Sequence, residues 1–336
     1  MQGLYIPENY KNKIDLLTTE KAIKFIKDRF EATLAERLNL VRVSAPLFVL
    51  TGTGINDDLN GVERSVRFDI KELNGRTAEI VQSLAKWKRT ALKKYNFPDG
   101  KGLYTDMNAI RRDDDMDNLH SIYVDQWDWE RVIDRADRNL EFLKKIVTLI
   151  VGAIVDVSEE TKKMFPAIDL TLNKDVTFIT TQEAEDLYPD LSGKERENAL
   201  CKRYGTVFLM QIGKKLKSGK IHDGRAPDYD DWELNGDVLF YNEVLQSSFE
   251  VSSMGIRVDE KSIVAQLKER GAEERLQYDY HQSILNGTLP LTIGGGIGQS
   301  RLCMLLLQKA HIGEVQVSLW PEDMEKEAAA HGIHLL

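Results

Sequence analysis

Apolar residues recur at Ile23, Ile26, Phe30, Leu34 and Leu38 with polar residues between them. That spacing predicts an amphipathic helix from a cap at Thr18 or Thr19 to about Leu38. Helical spacing returns from Asp137 to about Val157. Its apolar stretch, Ile146 to Val155, is too short to cross a bilayer and reads as core. Apolar segments at Val41–Val49, Phe178–Thr180, Val207–Ile212, Val238–Leu245 and Phe249–Ser253 predict strands, and further strands flank a helix at Ser83–Arg89. Thr51–Gly61 is rich in glycine and asparagine, and Lys214–Asn235 is polar, so both read as loops, the second exposed. Strand follows strand without regular helical crossovers. The expected fold is therefore α+β with a mainly antiparallel sheet flanked by helices, not a doubly wound one.

One strand departs from the usual pattern. After the cationic Ile110-Arg111-Arg112, the segment Ile122 to Glu130 places Gln126, Asp128 and Glu130 on the same face as Ile122 and Val124. Burying two carboxylates and an amide costs several kcal/mol unless they are paired. Two readings fit the pattern equally: a wall facing an anionic ligand beside Arg111 and Arg112, or a half-solvated strand with a charged outer face.

Three further segments bear on that choice. Ile293-Gly294-Gly295-Gly296-Ile297-Gly298-Gln299-Ser300-Arg301 reads as strand, glycine turn and buried helix, with Arg301 on the first helical turn. No Gly-Lys-Ser/Thr follows, and Gln299 stands where a dinucleotide fingerprint needs its last glycine. An arginine on the first turn adds to the anion preference of a helix N-terminus. In Phe249-Glu250-Val251-Ser252-Ser253-Met254-Gly255-Ile256-Arg257, Glu250 and Arg257 have opposite parity. The Ser-Met-Gly step is expected to break the pleat and re-aim the arginine. Ile80 to Arg89 starts a helix that delivers Lys88, although by itself it reads rather as an ordinary amphipathic helix with a basic solvent face.

In this order the segments resemble the catalytic core of class II aminoacyl-tRNA synthetases, most closely the aspartyl and asparaginyl branch. Arg111 to Glu130 is similar to motif 2, with Gln126-Trp127-Asp128-Trp129-Glu130 in place of Gln-x-Asp-x-Glu. Ile293 to Leu307 resembles motif 3, Leu40 to Val49 the motif 1 strand with its proline, and Glu250 to Arg257 the Glu-Leu-Gly-Gly-Gly-Ser-Ile-Arg stretch. Ser83 to Arg89, Tyr123 to Glu130, Arg225 to Trp232 and Ser252 to Arg257 narrow the resemblance to the ammonia-dependent asparagine synthetases (AMP-forming aspartate–ammonia ligases). Ser83 survives from the synthetases' Ser-Pro-Gln loop, while Leu84 and Ala85 replace the next two residues.

The resemblance implies one catalytic domain over 1–336, a homodimer, and no room before Leu40 for an anticodon-binding barrel. It implies synthesis of L-asparagine from L-aspartate, ammonia and ATP through a β-aspartyl adenylate, with AMP and pyrophosphate released. On the motif matches, Arg111 and Arg301 handle the nucleotide, with Val251 beside it, and Asp237 and Glu250 hold Mg²⁺. In Asn235-Gly236-Asp237 the residues alone suggest only a turn. Making the side-chain amide requires aspartate to lie end-for-end relative to the synthetases. Lys88 and Arg257 would then grip the α-carboxylate, and Ser83, Gln126 and Asp128 the ammonium. Asp57, Asp230 and Ser253 would line the ammonia side, where an acid can bind NH₄⁺ and take its proton. Asp228, Asp230 and Asp231 read equally as a solvated acidic loop. Two other functions stay open: adenylation of aspartate for a different acceptor, and a non-catalytic amino-acid sensor. Retention of Arg111, Glu250 and Arg301 argues against the sensor.

Bulk properties change little. The 336 residues suit one large or two small domains, and the net charge of −9 argues weakly against tRNA or another nucleic acid as partner. Cys201 and Cys303 have neither metal nor redox spacing, and the six histidines form no ligand motif, so a reduced, cytoplasmic, zinc-free protein is expected. Pro7, Glu8 and Lys11 interrupt the first apolar stretch, so neither a signal peptide nor a membrane segment is expected.

Overall fold

A computed structural model describes residues 3–57, 59 and 63–336. The first helix, α1 (Leu16–Leu38), starts at Asp15, whose carboxylate accepts from the Thr18 amide at 2.9 Å. The cap therefore lies three residues before the expected Thr18. The segment expected as one strand over Val41–Val49 divides into β1 (Leu40–Arg42) and β2 (Phe48–Leu50), which join different sheets. Next come β3 (Arg67–Ile70), β4 (Arg76–Ile80), α2 (Ala85–Lys94), β5 (Gly102–Ile110) and β6 (Tyr123–Val132). The second long helix, α3, covers Leu140–Met164, capped by Asn139. It is followed by β7 (Thr177–Thr180), α4 (Thr181–Leu187), α5 (Gly193–Tyr204), β8 (Thr206–Met210), β9 (Asp230–Asn242) and β10 (Ser247–Arg257). After α6 (Ser262–Arg270) and α7 (Asp279–Leu285) the chain enters β11 (Thr292–Gly298), α8 (Gln299–Leu306) and α9 (Glu322–Ala330).

Eight strands form the main sheet in the order β1-β5-β6-β11-β10-β9-β8-β7. Only the edge pairs β1·β5 and β7·β8 are parallel, so the antiparallel expectation holds across the centre. Strands β2, β4 and β3 make a small second sheet. No helix among the described residues is long and apolar enough to cross a membrane.

The two faces of the main sheet differ in chemistry. On one, Ile26, Phe30 and Leu34 of α1 and Ile146, Ile150 and Ile154 of α3 pack with Trp127, Trp129, Phe240, Phe249 and Met254 into the principal core. On the other, Ala91 and Leu92 of α2 cover Leu103 and Val132, and the even-numbered Gln126, Asp128 and Glu130 project beyond them. The alternation in β6 thus sorts tryptophan to the core and polar groups to the opposite side.

The glycine run is not a turn, as expected, but the body of β11, pairing Gly294 with Glu130, Gly295 with Trp129 and Gly296 with Asp128. A Cβ on Gly294 would stand 1.9 Å from Glu130 Oε2, one on Gly295 2.5 Å from Met254 Cβ, and one on Gly296 2.5 Å from Gln126 Oε1. Close approach of side chains from both neighbouring strands, rather than turn geometry, requires glycine here. Gly294→Ala is expected to destabilise the protein by about 1–3 kcal/mol through overpacking against buried charges. A urea midpoint equal to that of wild type would contradict this account of the run.

Candidate active site

The polar face of the sheet opens into a cavity of about 540 Å³, within the range of small-ligand sites. Its walls include Asp57, Ser83, Lys88, Arg111, Gln126, Asp128, Asp230, Glu250, Val251, Ser253, Arg257 and Arg301. Of the residues given a role in the site on the motif matches, only Asp237 stands outside this lining.

At its inner end lies a buried ionic network. Helix α2 begins where β4 ends and carries Lys88 over the glycine strand. There its Nζ donates to Asp128 Oδ1, to the Gly295 carbonyl at 3.0 Å, and lies 3.9 Å from Glu130 Oε2. Burial holds the Lys88 pKa below the ordinary lysine value. Asp128 and Glu130 oppose that shift, and the Arg257 charge adds to it. Arg257 donates through Nε and Nη2 to Glu130, at 2.8 Å for Nη2, and through Nη1 to Asp230. Burial works against its charge, but Glu130 and Asp230 more than offset that cost and keep it well above the usual arginine value. Glu130 is fully buried; its Oε1 also accepts from Thr292 Oγ1 at 2.7 Å. The two cations and Thr292 pull its pKa down against the effect of burial.

Two bulges in β10 place its residues around this network. The register with β9 slips between Glu250 and Ser252 and again between Gly255 and Arg257. The core-facing side chains change from Phe249 to Met254 and Ile256, so parity reverses along the strand. The second slip leaves Arg257 opposite Asp230. The Ser-Met-Gly step itself keeps regular register, contrary to expectation; the two shifts flank it and bring Glu250 and Arg257 into one cavity.

Arg111 lies at the outer part of the cavity, just beyond β5, where its amide donates to the Ile122 carbonyl at 2.8 Å and closes the base of the hairpin. Its Nε is buried without a hydrogen-bond partner. Arg301, on the first turn of α8, donates to the Glu250 carbonyl at 3.3 Å and lies 3.6 Å from Glu250 Oε2. Asp125 accepts from the Ser300 amide and hydroxyl at 3.1 and 2.8 Å, and so fixes that turn. Asp57 comes from the glycine-rich loop, whose residues 58 and 60–62 lie outside the described set. Asn56 and Gln82 anchor it: Gln82 Nε2 donates to the Asp57 carbonyl at 2.8 Å, and Asn56 Nδ2 to the Ile80 carbonyl at 3.1 Å.

A profile of the aspartate–ammonia ligase family matches residues 17–332. The chain belongs to the aspartate–ammonia ligase family. It is 59% identical over 335 residues to the aspartate–ammonia ligase of Clostridium tetani, covering 100% of this chain and 98% of that one. The relative of the same name in Ligilactobacillus salivarius is 56% identical, with 99% of each chain covered. Among solved structures, asparaginyl-tRNA synthetase from Pyrococcus horikoshii complexed with asparaginyl-adenylate matches with a TM-score of 0.62 at 17% identity, over 90% of this chain and 70% of that chain. Aspartyl-tRNA synthetase from Entamoeba histolytica matches with a TM-score of 0.57 at 19% identity, over 89% and 58%. These likenesses bear out the class II synthetase-like α+β core.

In this member of the family, only the first part of Lys214–Asn235 is the exposed loop expected: residues 217–221 are exposed, and the chain turns inward from Ala226. Asp228, Asp230 and Asp231 are all buried, and β9 begins at Asp230. Asp228 Oδ2 receives Lys86 at 3.2 Å, His281 Nε2 at 3.1 Å and Arg275 at 3.3 Å. Arg225 of the same segment lines the cavity and donates to Ser253 Oγ and, at 2.6 Å, to Asp237 Oδ1. Arg225, Lys86 and His281 escaped the sequence reading. Nothing in residue type or spacing shows that a polar segment folds inward. Lys86 and Arg225 did stand inside the family-like stretches Ser83 to Arg89 and Arg225 to Trp232, which was the available signal.

Asp237 and Glu250 form the acidic pair. Burial and the Glu250 charge push the Asp237 pKa up to about 7 even with Arg225 beside it. Two carboxylates, each beside a single arginine, suit a magnesium ion, which takes one or two carboxylates and completes its shell with phosphate oxygens and water. Among the described residues no cluster of three or more potential ligands exists, so such an ion would depend on a nucleotide for much of its coordination.

The Asp228 network yields a stability prediction. Burial raises its pKa, but Lys86, His281 and Arg275 hold it well below the ordinary carboxylate value. Asp228→Asn leaves the buried Lys86 ammonium without its partner, a loss of about 3–5 kcal/mol. A carboxylate depressed in the folded state stabilises above its unfolded pKa and loses that contribution as pH falls through its folded value. The stability gap between wild type and variant, measured by urea unfolding, should therefore be flat above about pH 5 and shrink below about pH 4. A gap that persists unchanged at about pH 2 would contradict the assignment.

Proposed function

We infer that this chain makes L-asparagine from L-aspartate, ammonia and ATP through a β-aspartyl adenylate, releasing AMP and pyrophosphate. The observation that carries the reading is the Lys88–Asp128 pair, buried beside Arg257 in the same cavity as Arg111 and Arg301. Aspartate is a zwitterion at its α-carbon. Its α-carboxylate can take Lys88 and Arg257 while its ammonium takes Asp128, Gln126 and Ser83, so the ligand splits an existing ion pair and re-forms it as two. No net charge is buried in that exchange, which keeps the desolvation cost low. The β-carboxylate then points toward the nucleotide.

A free carboxylate resists attack by amines, so activation comes first. A β-carboxylate oxygen attacks the α-phosphorus, and pyrophosphate leaves. Charge builds on the α-phosphoryl oxygens, where the preorganised Arg111 guanidinium stabilises it. Arg301 holds the nucleotide from the opposite side, beside Val251. Asp237 and Glu250 would hold Mg²⁺, which when bound offsets the charge of the phosphates. Ammonia next attacks the β-carbonyl carbon and AMP departs. Because ammonium is not nucleophilic, an acid must bind it and take a proton; Asp57 and Asp230, both buried at the cavity wall, are assigned that task. Ser253 lines the same side.

Ammonia is proposed as the acceptor in place of tRNA, in keeping with the net charge of −9. A homodimer is supported by the exposed apolar residues Val41, Leu47 and Phe48 in the motif 1 region, and a cytoplasmic setting by two unpaired, buried cysteines.

Two measurements test this reading. With ¹⁵N-ammonium as the sole added nucleophile, label should appear in the side-chain amide of asparagine, with AMP formed in equal amount. Label in the α-amide would overturn the orientation. Synthesis from glutamine with free ammonium scavenged would overturn the donor. In the second, Arg111→Ala should slow turnover by about 2.7–4 kcal/mol of barrier while aspartate binding changes little. Near-normal aspartate-dependent pyrophosphate exchange in that variant would remove Arg111 from activation.

A further inference from the structure

The steps above leave Arg225 without a role. Its side chain is 10% exposed although it springs from a connecting segment. The backbone beneath it is fixed: its carbonyl accepts from Arg270 Nη2 at 3.2 Å, the Ala226 carbonyl accepts from Trp232 Nε1 at 3.3 Å, and Arg270 lies 5.4 Å over the Trp232 ring. From that base the guanidinium reaches between two acids. Nη2 donates to Asp237 Oδ1 at 2.6 Å and Nη1 to Ser253 Oγ, while Nε lies 4.0 Å from Asp230 Oδ2. That Nε is buried with no hydrogen-bond partner. Arg257 holds the other oxygen of Asp230, Oδ1, so Oδ2 faces a donor that does not yet reach it.

We propose that Arg225 is a placeholder for the metal ion: it neutralises Asp237 before the nucleotide binds and moves onto Asp230 when the ion arrives with ATP. The proposal rests on the assignment of Asp237 and Glu250 to the metal. A divalent ion on Asp237 repels a guanidinium on the same carboxylate, and in a buried site that repulsion is poorly screened. The displaced guanidinium has an acceptor within a short movement, and Nε gains the partner it lacks. Loading of the nucleotide therefore tightens Arg225 onto an acid assigned to the ammonia side. With both oxygens of Asp230 then held by guanidinium groups, binding and deprotonation of ammonium fall to Asp57.

An arginine that merely braced β9 would behave differently when removed. Its loss would loosen the acidic pair and weaken metal binding. Loss of a placeholder removes a competitor and strengthens it. The test is a titration of the full-length enzyme with Mn²⁺, followed by electron paramagnetic resonance, with an ATP analogue carrying a methylene between the α- and β-phosphates. Arg225→Met is expected to bind Mn²⁺ about fivefold more tightly or better, the lower end of ordinary coupling between two ligands. Arg225→Lys, which keeps a cation, should fall between the two. Asp237→Asn should weaken Mn²⁺ binding by about tenfold or more. Unchanged or weaker Mn²⁺ binding in a folded Arg225→Met, with Asp237→Asn impaired, overturns the placeholder role alone. Unchanged binding in Asp237→Asn overturns the metal assignment and the inference with it. Should Arg225→Met fail to fold, the direction of the Arg225→Lys shift decides.

Discussion

Glu130 is the group on which the rest of the site depends. A carboxylate with no solvent exposure cannot stay charged unless cations and donors surround it, and Arg257, Thr292 and Lys88 do so. Each charge taken from water costs several kcal/mol, and a well-packed apolar cluster of equal volume would serve stability as well or better. What the ionic arrangement provides is orientation. Lys88 and Arg257 are both buried and held against Glu130 with their donors already aimed, so little reorganisation accompanies substrate entry or charge development. The glycines of β11 follow from the same constraint, since any side chain at Gly294 would displace Glu130.

The division of the sheet into an apolar and an ionic face explains how a single architecture holds both a large core and a dense charge network. Helices α1 and α3 cover the first face and bury the tryptophans of β6. The second receives α2 and the chain segments around Asp57 and Arg225. Strand alternation in β6 alone sets which groups go to which side, and the bulges of β10 bring a second strand into agreement with it.

Much of this was legible in the sequence. Period-two alternation from Ile122 to Glu130 gave the polar wall, helical spacing gave α1 and α3, and the order of the motif-like segments pointed to the family and to a cavity lined by Arg111, Lys88, Arg257 and Arg301. The failures share a cause. Splitting Val41–Val49 between two sheets, reading the Gly294–Gly296 run as a turn, and leaving Asp228 and Arg225 in solvent all concern residues whose state is fixed by partners distant in sequence. Gly294 is a strand residue because of Glu130, and Asp228 is buried because Lys86, His281 and Arg275 meet it. Local propensity carries no trace of such partners. Glycine favours turns, and charged runs favour solvent, until a tertiary contact overrides both.

The glycine strand also limits how the cavity can diversify. One stretch of its wall presents bare backbone, with the Gly295 carbonyl turned to Lys88 as its chemical contribution. A wall of this kind has no side chain to exchange, so selection for a longer or bulkier amino acid has no direct purchase there. Any widening of substrate range must come from β6, β10 or α2, whose residues already share the ionic network. Such changes disturb charge balance and shape together, and a site built in this manner is expected to drift slowly in specificity while its surroundings vary.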